Sequence, residues 1–381
     1  MSLVPWWLKN GMAEPERIVV RVPNWVGDIV LATPFYRALR QARPAARITL
    51  QAQGATVGIL ADAPWFDDAL ALPSRKALRR PAAFLRAAAA LRERRFATGY
   101  LLTNSISSAA LFRLGGVRRR IGYDRDGRGW LLTDRLPVPR PATPGGIVPI
   151  KEYYLHLARA AGLAVTDTRV ELFLGDQDRA FAERYYRERG VADGDLVVGM
   201  NPGAAYGAAK CWRADYYART ADYFLRERGA WVVLFSGPGE ERVVEEITGL
   251  MAGTPLTVIG AGVTLRNLKG LIARCDLFLG NDSGPIQYAI AFGRPVVTIF
   301  GSTPVAYAAT DYPRVRQLTA NVECAPCKHR VCPIDHRCMT RVTPEWVIAE
   351  AEGLLQESGA RGQGSGSPLP VLGPWPPAPG P

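Results

Sequence analysis

The 381-residue chain has no run approaching ~18 consecutive apolar residues, the length a membrane-crossing helix needs, so no spanning segment is expected. The first ten residues hold two tryptophans but no long apolar stretch followed by a small-residue cleavage site, so they do not read as a secretory signal. A soluble, cytoplasmic protein is the expectation. Cysteine is sparse: six residues in a chain this long do not make a disulfide scaffold. A Walker A loop is missing, because no small-residue loop has the Gly-x4-Gly-Lys-Ser/Thr spacing. The segment SGPGEE at 236–241 has only two of the three glycines of a dinucleotide fingerprint, Gly237 and Gly239, and does not open a domain. That argues against a nicotinamide dehydrogenase. No internal repeat is visible.

What is present suits a folded protein. Hydrophobic residues make up 48% and charged residues 22%, figures that fit neither disorder nor a fibre. The length suits two domains of ~150 residues plus extras. Net charge is +12, and 41 of the 47 basic residues are arginine. Such a field attracts phosphates, an anionic glycolipid, a membrane surface or nucleic acid, and charge alone does not choose among them.

From Arg17 onward, short apolar runs alternate with longer stretches of helical period. RIVVRV (17–22), RITLQA (47–52), DDALAL (67–72) and TGYLLT (98–103) read as strands, separated by Ala- and Arg-rich helices such as 77–94. A second series comprises DLVVGMNPG (195–203), WVVLFSG (231–237), LTVIG (256–260), DLFLGNDSG (276–284) and PVVTIFG (295–301). Alternation of this kind predicts α/β domains with parallel, doubly wound sheets. The strands of the second series end in Gly, Ser, Asn or Asp, at the edge where such sheets bind ligands. The predicted organisation is a flexible extension over 1–16 (with Met12 an alternative start), a first domain over 17–170 and a linker helix within 171–194. A second domain follows over 195–357. Residues 358–381, with seven prolines and six glycines, are expected to be a disordered tail.

Four segments carry candidate chemistry. In PNWVGDIVLATP (23–34) a strand runs through Gly27 into a helix. Asp28 reads either as the helix N-cap or as a base pointing into a cleft. In NPGAAYGAAKCW (201–212) Gly203, Gly207 and Ala208 lead to Lys210. Small residues expose backbone N–H groups and a lysine adds a point charge, which together suit a diphosphate; a solvated lysine is the plainer reading. In LGNDSGPIQYAIAFGRP (279–295) Pro285 marks a first helical turn, and the N–H groups of Ser283, Gly284 and Ile286 form a ready anion site. Glu240 or Glu241 is placed to accept hydrogen bonds from a ribose, or is simply solvated at a helix start. In CAPCKHRVCPIDHRC (324–338) the spacing C-x2-C-x4-C-x5-C suits a structural zinc held by Cys324, Cys327, Cys332 and Cys338, or by three of them with a histidine. Reduced thiols or disulfides are the alternatives. The arginines of 113–129 read as a solvated face from which one or two could grip an acidic acceptor.

Taken together, PNWVGD, TNSISSAALFRLGGVRRRIGY (103–123), NPGAAYGAAKCW, NDSGPIQYAIAFGRPVVTIFGST (281–303) and the cysteine cluster followed by CMTRVTPEWV resemble the ADP-heptose:lipopolysaccharide heptosyltransferases. The likeness is closest to their heptosyltransferase II branch and covers about residues 17–350. It implies a GT-B fold, two Rossmann-like domains facing across a cleft, and inverting transfer of heptose from ADP-heptose to a Kdo-lipid A type acceptor in the lipopolysaccharide inner core. A GT-B enzyme using another nucleotide-sugar in cell-envelope polysaccharide synthesis is the alternative. Carried over by motif, Asp28 is the catalytic base. Lys210, Glu240, Glu241, Asp282, Ser283, Gly284 and Gln287 bind the donor, and Asn24, Gly27, Asn104 and Arg120 the acceptor. Two departures stand out. Gln287 occupies a position where the family usually has histidine, and Cys211-Trp212-Arg213 stand where Arg-Trp-Pro usually follows the lysine. With no Asp-x-Asp motif near the diphosphate region, no cofactor is expected for catalysis, leaving zinc as a structural ion only. The positive charge is assigned to the anionic acceptor and to peripheral contact with an anionic inner membrane at its cytoplasmic face, not to nucleic acid.

Overall fold

The computed structural model describes residues 14–74, 76–258 and 262–359. The expected flexible extension lies outside the described residues up to residue 13, and so does the proline-rich tail from residue 360.

Among the described residues twelve strands form two parallel six-stranded sheets. The first sheet contains β1 (Arg17–Arg21), β2 (Arg47–Gln53), β3 (Asp68–Leu72), β4 (Thr98–Leu101), β5 (Arg119–Tyr123) and β6 (Asp134–Leu136). The second contains β7 (Val197–Asn201), β8 (Trp231–Phe235), β9 (Leu256–Val258), β10 (Leu277–Asn281), β11 (Val296–Phe300) and β12 (Val315–Thr319). Their orders are β3-β2-β1-β4-β5-β6 and β12-β11-β10-β7-β8-β9. Counted within each domain, both sheets have the 3-2-1-4-5-6 order of a doubly wound nucleotide-binding fold. The strand order reverses between β1 and β4, and again between β7 and β10. A crevice opens beyond the strand C-termini at each of these points.

The helices are α1 (Val26–Leu31), α2 (Thr33–Ala42), α3 (Pro81–Glu93), α4 (Ile106–Leu114), α5 (Ile150–Ala160) and α6 (Asp176–Arg187), then α7 (Ala214–Glu227), α8 (Glu241–Leu250), α9 (Leu268–Arg274), α10 (Gly284–Ala291), α11 (Arg337–Thr340) and α12 (Pro344–Ser358). They cover both faces of the sheets, which is why β7 and β10 are buried along their whole length. Each fully buried Val, Leu or Ile on these strands contributes roughly 1.5–3 kcal/mol of transfer free energy.

The sequence reading and the structure differ in particulars. The helix expected over 77–94 is a short 3-10 turn, Ala77–Arg79, followed by α3 from Pro81, because proline starts a helix more readily than it continues one. Strands β5, β6 and β12 were not among the expected strands; arginines interrupt the apolar pattern in all three. Helix α12 runs through Ser358 and ends on the left-handed Gly359, just inside the segment expected to be disordered.

Polar ties join the two sheets' domains. Helix α6 packs on α9, where a side chain on Gly270 would strike the Asp178 carbonyl at 2.4 Å. The wholly buried Lys269 donates to the carbonyls of Ala61 (2.9 Å) and Phe173 (2.7 Å) and pairs with Asp178 at 3.1 Å. Arg266 bridges Asp62 and Asp178 at 3.0 and 3.1 Å. Lys151 on α5 reaches Asp311 beyond β11, at 2.5 Å.

Candidate active site

Helices α1 and α10 begin at the strand ends beside the two reversal points and meet head to head. A Cβ on Gly284 would lie 2.8 Å from Val26 Cβ and 3.3 Å from the Gly27 nitrogen. Only glycine permits this approach. Around the junction lies a cleft of about 1060 Å³. Of the sequence-predicted residues, Gly27, Asp28, Lys210, Glu240, Glu241, Asp282, Ser283, Gly284 and Gln287 all line it.

Asp28 is not the N-cap. Trp25 holds that position without a side-chain cap bond, and Asp28 is the third residue of α1. Its carboxylate receives a hydrogen bond from the Tyr154 hydroxyl at 3.4 Å. Burial pushes its pKa up to about 6; Tyr154 opposes the shift, the Asp282 charge adds to it and Lys210 counters it. A carboxylate poised there is mostly ionised at neutral pH yet basic enough to take a proton from an alcohol as it reacts.

Across the cleft, Lys210 donates from Nζ to Asp282 Oδ2 at 2.5 Å and to the Asp282 carbonyl at 3.2 Å. Thr303 donates to the same carboxylate at 2.7 Å. The loop that carries Lys210 is held from below: Asn201 Nδ2 donates to the Gly203 carbonyl at 3.0 Å and to Ser283 Oγ at 3.2 Å. Gly207 has φ of 153° and sits where a Cβ would meet the Arg330 carbonyl at 2.4 Å, so the loop lies directly on the cysteine segment. Ser283 is the N-cap of α10, with Pro285 in its first turn. The positive end of that helix therefore faces the cleft, an arrangement that favours an anion. Glu240 is the N-cap of α8 and accepts from the Gly237 N–H at 2.8 Å. Backbone N–H groups hold the Glu241 carboxyl below its usual range. Gln287 is buried, with Cγ 3.4 Å from where a Gly27 Cβ would stand.

The acceptor-side residues separate. Gly27 lines the cleft, but Asn24, Asn104 and Arg120 do not. Asn24 accepts from the buried Arg21 at 2.6 Å. Asn104 donates to the Tyr153 hydroxyl at 2.8 Å and accepts from the buried Arg128 at 3.3 Å. Arg120 lies at the start of β5, the sheet edge opposite the crevice, and its guanidinium donates to the carbonyls of Leu131, Val117 and Arg118. A sequence motif locates such a residue near others in the chain but does not say at which strand end it falls.

Cys324, Cys327, Cys332 and Cys338 line one cavity of about 210 Å³ with His329 and His336. All four are free thiols, and burial together with the neighbouring sulfurs pushes Cys338 up to about 11. The donor set is chemically suited to zinc. Among the described residues, however, no three His, Cys, Asp or Glu side chains are arranged to hold a metal ion.

Sequence reading missed several residues in or behind the cleft. Tyr154, which does not itself line the cleft but reaches Asp28 from behind, comes from α5, more than a hundred residues away in the chain. Thr303 and Lys328 follow β11 and the first two cysteines, and Phe235, Val263 and Leu265 form an apolar wall. Thr303 ends the quoted NDSG motif segment and was legible as a strand-end hydroxyl; the others gave no local signal.

Two doubly wound domains of identical strand order, with a buried carboxylate of one and a helix start of the other lining a common cleft, define the GT-B class of fold. The chain belongs to glycosyltransferase family 9, the heptosyltransferases, whose model matches residues 84–337. It is 27% identical to lipopolysaccharide heptosyltransferase 2 of Escherichia coli K12, across 90% of this chain and 100% of that one. Among solved structures it is similar to a family 9 glycosyltransferase from Veillonella parvula (TM-score 0.78, 24% identity, 91% of this chain and 99% of that one). It is also similar to the ADP-heptose lipopolysaccharide heptosyltransferase II of E. coli (TM-score 0.74, 24% identity, 91% and 100%). Among the described residues no helix is long and apolar enough to cross a membrane.

Proposed function

We propose that this enzyme transfers L-glycero-D-manno-heptose from ADP-heptose to the inner core of lipopolysaccharide, with inversion, as a heptosyltransferase II. The observation that carries the reading is the opposition of Asp28 on α1 to the Lys210–Asp282–Thr303 cluster at the head of α10. The relatives named heptosyltransferase 2, matched along 90% of the chain, support heptose over another sugar.

In this reading the ADP diphosphate lies against Lys210 and the N-terminus of α10, with Asp282, Ser283, Gly284 and Gln287 around the phosphates and heptose. Glu240, with Glu241 beside it, receives the ribose hydroxyls, and the adenine packs on Phe235, Val263 and Leu265. The acceptor, a Kdo-lipid A type glycolipid, enters beside Gly27. Its hydroxyl oxygen attacks the anomeric carbon while the bond to the diphosphate oxygen breaks, through an oxocarbenium-like state. One displacement inverts the centre. Asp28 takes the hydroxyl proton, help typically worth ~10²–10⁴-fold. Charge growing on the leaving diphosphate meets fixed dipoles and an ammonium already in place. Base and phosphate site stand on different domains, so domain closure completes the site. The chain's own groups fill every role, and no cofactor is called for.

The acceptor's anionic lipid supports a location at the cytoplasmic face of the inner membrane, with the net charge of +12 providing peripheral attraction. Co-sedimentation with anionic vesicles, lost in high salt, is the expected result; equal binding to neutral vesicles would refute it. Zinc at Cys324, Cys327, Cys332 and Cys338 is a separate structural reading, supported by the soft donor set around one cavity. Metal analysis of anaerobically purified protein should find one equivalent, and a substoichiometric content would overturn it.

The transfer itself is tested by incubating the protein with ADP-heptose and a heptose-deficient acceptor, read by mass spectrometry. A heptosyl adduct is expected. Turnover of non-ADP donors only would sink the assignment.

A further inference from the structure

Among the described residues six charged side chains line the cleft: Asp28, Lys210, Glu240, Glu241, Asp282 and Lys328. Four are acids, and one of the two cations, Lys210, already lies 2.5 Å from Asp282. A diphosphate adding two or three negative charges therefore meets an acidic lining unless a second cation faces it.

Lys328 is placed to be that cation. It stands in the cysteine segment, between Cys327 and His329, at the mouth of the cleft. Its backbone is pinned on both sides: its N–H donates to the Ser302 carbonyl at 2.7 Å, and its carbonyl accepts from the Tyr206 hydroxyl at 2.7 Å. Its φ of 61° is left-handed, a conformation that costs a non-glycine residue and persists only where the surroundings impose it. The same Tyr206 offers its ring to the Lys210 ammonium at 5.1 Å, so one side chain registers both lysines on the same wall. Lys328 Nζ lies 5.7 Å from the Tyr307 ring, and Tyr307 also lines the cleft. Among the described residues Lys328 forms no ion pair with a carboxylate, in contrast to Lys210.

We propose that Lys328 is a second donor-binding cation, presented by the cysteine segment to the diphosphate of the nucleotide-sugar; this rests on the donor site assigned above. It gives that segment a functional purpose independent of any metal, since the loop that carries the thiols also positions an ammonium over the leaving group.

Calorimetric binding of ADP and of adenosine to the full-length protein tests it. Lys328→Met should weaken ADP binding about tenfold, the loss of one charge-assisted contact, and leave adenosine within twofold of wild type. Lys328→Arg should recover most of the ADP affinity. If the wild type binds ADP and Lys328→Met binds it equally well, the inference is wrong while the donor site stands; a raised KM for the acceptor alone would likewise overturn it. If the wild type itself fails to bind ADP, the donor site falls and the inference with it.

Discussion

The Tyr154 hydroxyl donates to the Asp28 carboxylate at 3.4 Å, joining α5 to α1 within the first domain. Among the described residues this is the one side-chain hydrogen bond on the carboxylate assigned as the base, and it works against the burial that raises its pKa to about 6.

Asp28→Asn keeps the shape of the cleft and removes the proton acceptor. Turnover should fall by about 10²–10⁴-fold while ADP affinity stays within about twofold. Steady-state kinetics beside calorimetry read the two separately, and retained turnover would leave Asp28 a merely structural residue.

The pH profile has a definite sign. The ionised form of Asp28 accepts the proton, so activity should rise with pH through about 6 and level off above it. In Tyr154→Phe the lost hydrogen bond no longer favours the carboxylate, and the midpoint should move upward. A rate profile for this variant superimposable on wild type would show that the contact does not tune the base.

The same shift predicts a stability gain. Asp28 titrates near 3.8 when exposed and near 6 when folded, so the folded state holds the proton more tightly. Stability contributed by the protonated form is complete below about 3.8 and lost as pH rises through about 6. Asp28→Asn should therefore raise the melting temperature at pH 7.5 but not at pH 4. Thermal melts at the two pH values check this; equal changes at both would contradict it.

Gly284→Ala places a methyl group 2.8 Å from Val26 Cβ, with backbone close behind. The α1–α10 contact must open, at a cost of about 1–3 kcal/mol in stability. Activity should fall more than ADP binding, because the base and the phosphate site move apart. Denaturant unfolding and turnover measure the two effects.

Lys269→Met leaves the buried Asp178 with Arg266 and the Gly175 N–H but without its ammonium, and cuts the ties to Ala61 and Phe173. A loss of about 3 kcal/mol is expected. Calorimetry should also show less cooperative unfolding of the two domains; a single sharp transition at the wild-type temperature would refute the role.

Much of this architecture was readable because it is local. The apolar runs at 17–22, 195–203 and 276–284 announce buried strands, and the glycines and acids that follow announce strand ends. Asp28 and Asp282 were found for that reason. The role of Asp28 as a cap was not settled locally: the cap and the third helical residue lie three positions apart in one strand-to-helix turn, and the helix starts early enough to place Trp25 at the cap and Asp28 inside the first turn. Arg120 stands away from the cleft, and no local sign of this is written in the chain, because an arginine near the start of a strand carries no mark of which sheet edge it occupies. Tyr154 and Lys328 escaped notice because a tyrosine on a helix and a lysine in a loop look the same whether they face solvent or a cleft.

The order of residues determined by itself the α/β alternation, the helix start at Ser283 and the membership of family 9. Periodicity and backbone preference act over a few neighbouring residues, so they are written in the chain. The tertiary structure alone decided that α1 and α10 meet through Gly284, that Tyr154 reaches Asp28, and that Lys210 is paired with Asp282 while Lys328 is not. Those relations depend on strand order and on the approach of two separately built domains. Long-range packing sets both, through contacts that no short stretch of sequence specifies.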